Sequence, residues 1–176
     1  MPDYRRAWHP GGTYFFTVNL LQRHDNDLLI RHIDELRESV RWVKRRHTFV
    51  IHAWVILLEH LHCVMELPPN DADFSVRWRL IKLGFSRSIP PKERRSKVRK
   101  KRGERRIWQR RYWEHLIRVE TDYRAQLDTV HFNPVKHGWV SRVSDWPYST
   151  FHRLIEQGVY PPDWAGGNEI LLAYDD

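Results

Sequence analysis

Apolar positions along the chain recur with two periods, and the change from one to the other divides it into elements. "TYFFTVNLLQ" (Thr13–Gln22) follows Gly11-Gly12 and is rich in aromatic and β-branched residues, which predicts a strand. From Leu28 to Arg46, Leu29, Ile33, Leu36, Val40 and Val43 recur every three or four residues, the pattern of an amphipathic helix. "FVIHAWVILLE" (Phe49–Glu59) predicts a second strand and "LLEHLHCVMELP" (Leu57–Pro68) a third, ended by Pro68-Pro69. Asp73–Ile89 returns to helical spacing, with Trp78 and Phe85 on its core side, and closes at Pro90-Pro91. "RIWQRRYWEHLIRV" (Arg106–Val119) predicts a fourth strand, and Glu120–Phe132 a helix stopped before Asn133-Pro134, because proline disfavours α geometry in its predecessor. "SDWPYSTFHRLIEQG" predicts a turn and a short helix packed on the body. The order β-α-β-β-α-β-α points to an α+β fold, an antiparallel sheet with helices packed on one face.

Length adds the expectation of one domain over residues 1–176, with an insertion loop at about 90–106 and a C-terminal extension at about 140–176. No stretch reaches the roughly 18–20 consecutive apolar residues of a membrane span, and "MPDYRRAWHPGG" has no apolar signal region. The single cysteine, Cys63, excludes an internal disulfide, fits a reducing cytosol, and alternates toward the core. Charge changes the picture more. The chain carries +8, yet Lys92–Arg111 alone holds 12 basic and 2 acidic residues, a local +10 that leaves −2 for the other 156. Lys97, Arg99, Lys100, Lys101, Arg102, Arg105, Arg106, Arg110 and Arg111 are the expected DNA contacts, with Arg5 and Arg6 as further candidates. Trp108, Tyr112 and Trp113 stand among or directly after them, and cations interleaved with aromatics suit unpaired nucleic acid.

The third strand holds the candidate chemistry. Side chains alternate across a strand, so His60 and His62 share a face with Val64 and Glu66, while Leu61, Cys63 and Met65 take the other. Two imidazoles about 7 Å apart along a strand can converge on one divalent ion. Spacing alone leaves both a metal pair and two ordinary strand histidines open.

"GGTYFFTVNL", "EHLHCVMELP", "DADFSVRWRLIK", "WQRRYWEHLIR", "HFNPVKHGWVSR" and "DWPYSTFHR" together resemble the HUH single-strand endonucleases. Within them the match is to the single-tyrosine transposases and, most closely, the REP-associated tyrosine transposases. The likeness covers about residues 3–165. It implies a ferredoxin-like fold and a bacterial, cytoplasmic, nucleoid-associated protein that acts on single-stranded or hairpin DNA, with no membrane partner. It also implies a monomer, whereas insertion-sequence relatives are dimers with shared sites. The family's metal histidines match His60 and His62. Asn133 matches the polar residue that completes a site for Mg²⁺ or Mn²⁺. One turn earlier the family has a tyrosine that attacks the phosphate and becomes joined to the 5′ end of the cut strand.

Here that position is Thr129, in "TVHFNPV". A phenol has a pKa near 10, and an aliphatic hydroxyl lies several units higher and reaches less far. Tyr123 is the less favoured substitute nucleophile, since six residues of helix turn it about 240° away and about 9 Å along the axis. The implied activity is a metal-dependent endonuclease and strand transferase, impaired at Thr129. The alternatives are a binding protein on the same fold, with cleavage lost, and an unrelated phosphoesterase using water at His60 and His62. Glu59 and Glu66 are expected to face solvent, and His131 to be a surface or packing residue.

Overall fold

The structure is a computed structural model that describes residues 8–91 and 106–167. Its four strands are β1 (Thr13–Asn19), β2 (Val50–Ile56), β3 (His60–Glu66) and β4 (Trp113–Ile117), in the order β2-β3-β1-β4 with every neighbouring pair antiparallel. The helices are α1 (Leu28–Arg31), α2 (Ile33–Arg46), α3 (Phe74–Ser88), α4 (Glu120–Lys136) and α5 (Phe151–Glu156), with a 3-10 turn at Val143–Asp145. The α+β expectation and the ferredoxin-like strand order hold. Among the described residues no helix is long and apolar enough to cross a membrane.

Both faces of the sheet are buried, which corrects the expected single helix-covered face. Tyr14, Phe16 and Val18 of β1 and Leu61, Cys63 and Met65 of β3 form one core with Leu36, Val40 and Val43 of α2 and Phe74, Trp78, Ile81 and Phe85 of α3. Phe15, Ala53, Val55 and Val64 point the other way and meet Leu127 and Val130 of α4, with Trp146, Phe151 and Tyr160 behind them. The cause is legible in β1, where Tyr14-Phe15-Phe16 is apolar on consecutive positions and so feeds both sides.

Two helix boundaries differ from expectation. The first helix breaks at His32 (φ −115°, ψ 39°), separating α1 from α2. The helix expected to stop before Asn133 runs through Asn133 and Pro134 to Lys136. Pro134 has no N–H for the Val130 carbonyl, yet the helix continues past it and closes on His137 N–H to Asn133 O (3.0 Å) and Trp139 N–H to Pro134 O (3.0 Å). Asn133 therefore lies on the helix, one turn after Thr129.

The fourth strand is shorter than its apolar run. Leu21 N–H donates to Ile107 O and Gln109 N–H to Asn19 O, so Ile107–Gln109 runs beside the end of β1. The ladder with β1 itself begins only at Trp113. Between them Tyr112 turns into the first core, edge-on to Phe16 at 6.0 Å, with its hydroxyl on Ser75 Oγ at 3.2 Å. Tyr112 is thus a half-buried packing residue of the first core.

Candidate functional site

The site lies on the α4 side of the sheet, in the layer fixed by β1–β3 register. Thr17 pairs with His62 and Asn19 with His60, so two polar positions of β1 face the two histidines. Thr17 Oγ1 is 2.9 Å from His62 Nδ1, and the Phe15 ring stacks on the His62 ring (centroids 5.5 Å, 18°). His60 Nδ1 lies 2.6 Å from Glu59 Oε2. With Nδ1–H donated to these oxygens, both rings keep the Nε2 lone pair for a ligand. The two rings are 5.0 Å apart between centroids.

Burial sets the protonation. His62 is held well below the usual imidazole pKa, first by desolvation and then by the charges of His60, His137, Lys136 and Arg23, so its ring stays neutral. Burial pushes the Glu59 carboxyl up, but the His60 hydrogen bond, the His60 charge and Arg23 outweigh it and leave the group below its ordinary value. Glu59 is thus a largely buried anionic partner of His60, not the solvent-facing residue expected. Glu66 keeps partial exposure, with its carboxylate 2.7 Å from His52 Nε2.

A cavity of about 210 Å³ opens here, lined by Phe15, Thr17, His62, Trp113, Thr129, Asn133 and Lys136. It brings together four of the elements and four residues singled out in the sequence: His62, Thr129 and Asn133 for the metal site, and Trp113 for nucleic acid. His62 Nε2, Asn133 Oδ1 and, beside His60, Asn19 Oδ1 are buried without a hydrogen-bond partner. Orphaned acceptors around a neutral imidazole fit a divalent cation, with nitrogen and amide oxygen as donors. Among the described residues no three His, Cys, Asp or Glu side chains converge as a metal site. An ion on the histidine pair would therefore take its third protein donor from an amide, and Asn133 is positioned on the cavity wall for that. His137 approaches His60 (5.3 Å between rings) without forming such a triad.

Thr129 is 6% exposed and its hydroxyl donates to Ala125 O at 2.8 Å, one turn back on its own helix. Tyr123 is not in this cavity. Its hydroxyl meets His52 Nδ1 at 2.9 Å, and it borders a separate cavity with Asp128 and Arg153. Burial, then the Glu120 and Glu66 carboxylates, push its phenol above the ordinary value. His131 is a packing residue, fully buried between Thr150 Oγ1 (2.7 Å) and the Tyr160 hydroxyl (3.3 Å). Cys63 is buried in the first core, and burial pushes its thiol up.

Of the expected DNA contacts, Arg106, Arg110 and Arg111 are exposed. Lys97, Arg99, Lys100, Lys101, Arg102 and Arg105, like Arg5 and Arg6, lie outside the described residues. Sequence reasoning passed over Thr17, Asn19, Lys136 and the site position of Trp113. A signal for two of them was present: Thr17 and Asn19 are polar at period two inside an otherwise apolar strand, which marks a buried polar face.

This geometry can be set beside known proteins. No protein-family profile matches the chain. A REP-associated tyrosine transposase of Escherichia coli (strain K12) is 49% identical over 166 residues, covering 94% of this chain and 92% of the relative. This chain belongs to the REP-associated tyrosine transposase family. A second relative, a putative REP-associated tyrosine transposase from Haemophilus influenzae, is 42% identical over 176 residues, 99% of each chain. A solved structure of a REP-associated tyrosine transposase bound to a REP hairpin superposes with a TM-score of 0.83 at 48% identity, over 95% of this chain and 93% of that one. The family membership and the fold that the sequence motifs implied both stand.

Proposed function

We propose that this transposase-family chain binds REP-type hairpin DNA and keeps the metal-holding half of a strand-transfer site without the phenol that would attack. One observation carries the reading. The residue one turn before Asn133 is a buried threonine, Thr129, whose hydroxyl is already bonded to Ala125 O. A short aliphatic hydroxyl in that bond has no base within its own hydrogen-bond pair and a high intrinsic pKa, so it does not supply an attacking oxyanion. The solved relative bound to a REP hairpin supports the choice of ligand.

His60, His62 and Asn133 would hold Mg²⁺ or Mn²⁺, with Glu59 and Thr17 fixing the two imidazoles through Nδ1. Bound there, a divalent ion supplies Lewis-acid polarisation of a phosphate oxygen. Lys136 on the cavity wall adds a cation for the same phosphate. Phe15 and the α4 helix keep bulk water from the buried ring of His62.

The orphaned acceptors of His62 and Asn133 favour a second reading, a metal-dependent single-strand endonuclease with a nucleophile other than Thr129. One assay separates the two. The protein is incubated with a radiolabelled single strand carrying a REP-type hairpin and Mn²⁺, then run on a native gel for binding and a denaturing gel for cleavage and linkage. We expect binding, no cleavage and no DNA-linked protein band, with the band gained in Thr129→Tyr. Cleavage by the natural chain, or a linked band abolished by Tyr123→Phe, would overturn the binding-protein reading.

A further inference from the structure

Trp113 opens β4 and is 53% exposed, yet it forms part of the wall of the His62–Asn133 cavity. Register puts it there. Trp113 pairs with Thr17 across β1 and β4, and Thr17 pairs with His62 across β1 and β3. Three adjacent strands thus present an indole, a hydroxyl and an imidazole to one layer. β4 is an edge strand, so the ring sits where the cavity meets solvent.

Two other exposed indoles of the described residues, Trp8 and Trp42, have protein partners that this one lacks, and a third, Trp139, lines a separate cavity with Arg23 and Glu59. Trp8 stacks on Phe74 at 5.1 Å, and Trp42 is covered by the Arg46 guanidinium at 3.9 Å. No aromatic ring or cation among the described residues packs on Trp113. An indole face left in water beside a cavity with an ammonium group on its wall matches one ligand chemistry: a flat apolar ring tethered to a phosphate. Bases within a duplex are already stacked on each other and cannot offer that face, whereas an unpaired base can.

We propose that Trp113 is the stacking platform for an unpaired base of the strand whose phosphate enters the His62–Asn133 cavity. The inference rests on the DNA reading above and refines it. The cavity takes the single-stranded flank of a hairpin, and the paired stem lies elsewhere on the protein. Stacking on an indole needs no particular base edge, so the platform positions the strand and leaves choice of base to other contacts.

The test uses the full chain and two labelled oligonucleotides, a blunt hairpin and the same hairpin with an unpaired extension. Trp113→Ala is expected to weaken binding of the extended hairpin about tenfold and to leave the blunt one unchanged, while Trp113→Phe keeps most of the affinity. Trp42→Ala serves as the control for loss of an exposed indole. Equal weakening of both ligands, or no weakening of either, would overturn the platform. Because a variant can fail to fold, 2-aminopurine is also scanned through the extension with the natural protein. Quenching at one position supports the stack, and unchanged fluorescence at every position rules it out. Failure of the natural chain to bind either hairpin would instead remove the DNA reading itself.

Discussion

The Arg77 guanidinium is 1% exposed on α3, where it donates to both Asp71 carboxylate oxygens (3.2 and 2.9 Å) and to the carbonyls of Thr48 and Asp73. A buried cation with this many acceptors is stable only while they remain. The Arg77 hydrogen bonds, with that from the Asp73 backbone, hold the Asp71 carboxyl below the usual carboxylate range. A carboxyl depressed in the folded state adds stability above its unfolded pKa, near 3.9, and loses it as pH falls through the folded value. Asp71→Asn should therefore cost about 1–2 kcal/mol in urea unfolding at pH 7, the low end for a charged hydrogen bond because the carboxylate is over a third exposed. The gap to the natural protein should narrow as the pH is taken below about 4. At the same scale, single residues of the site differ in how readily the sequence discloses them. His60, His62 and Asn133 stand in motifs that resemble those of a known family. Lys136 does not stand out, because a lysine at a helix end has many ordinary uses; Trp113 stands out only as an aromatic beside the basic run, and only the fold brings both to one cavity.

Helices α2 and α3 approach closely enough that one atom decides their packing. A Cβ on Gly84 would stand 2.5 Å from Ser39 Oγ, which donates to Ile81 O at 2.8 Å. Gly84→Ala gains about 1 kcal/mol of helix propensity, but displacing the Ser39 hydroxyl costs more, about 1–3 kcal/mol for overpacking with its hydrogen bond broken besides. We expect Gly84→Ala to lower the melting temperature, and Ser39→Ala/Gly84→Ala to melt above Gly84→Ala alone. Independent, additive effects in that cycle would show that the approach is not tight. Elements are legible in the sequence wherever one period runs unbroken, as in α3 and β1. Boundaries are not, where a tertiary contact overrides the local signal. Pro134 reads locally as a stop, although the helix gives up one backbone hydrogen bond there and runs on to Lys136. The apolar run from Arg106 reads as one strand, although Tyr112 leaves the ladder for the core. The second buried face is hidden because a helix in sequence does not say which side of a sheet it will cover.

For the molecule as a whole, charge and site belong to different parts of the chain. Twelve of its 30 basic residues lie in Lys92–Arg111, while the candidate metal cradle is built by β1, β3 and α4. Binding of hairpin DNA should fall linearly in log K against log salt. Neutral replacement of Lys97, Arg99, Lys100, Lys101 and Arg102 should flatten that slope by about 0.7–0.9 for each phosphate no longer neutralised. Anisotropy titrations at several salt concentrations measure both slopes. A slope unchanged by the replacements would move the polyanion-binding surface elsewhere. The seven residues of β3 have a consequence for how this chain can change through inheritance. Leu61, Cys63 and Met65 fill one core while His60 and His62 belong to the opposite face, where His62 lines the cavity. Gaining or losing one codon inside β3 would break this alternation, so that residues beyond the change either swap faces, imidazole for thiol, or bulge out of the ladder. The seven-residue length of β3 is thus held fixed by stability itself, whether or not any strand is ever cut.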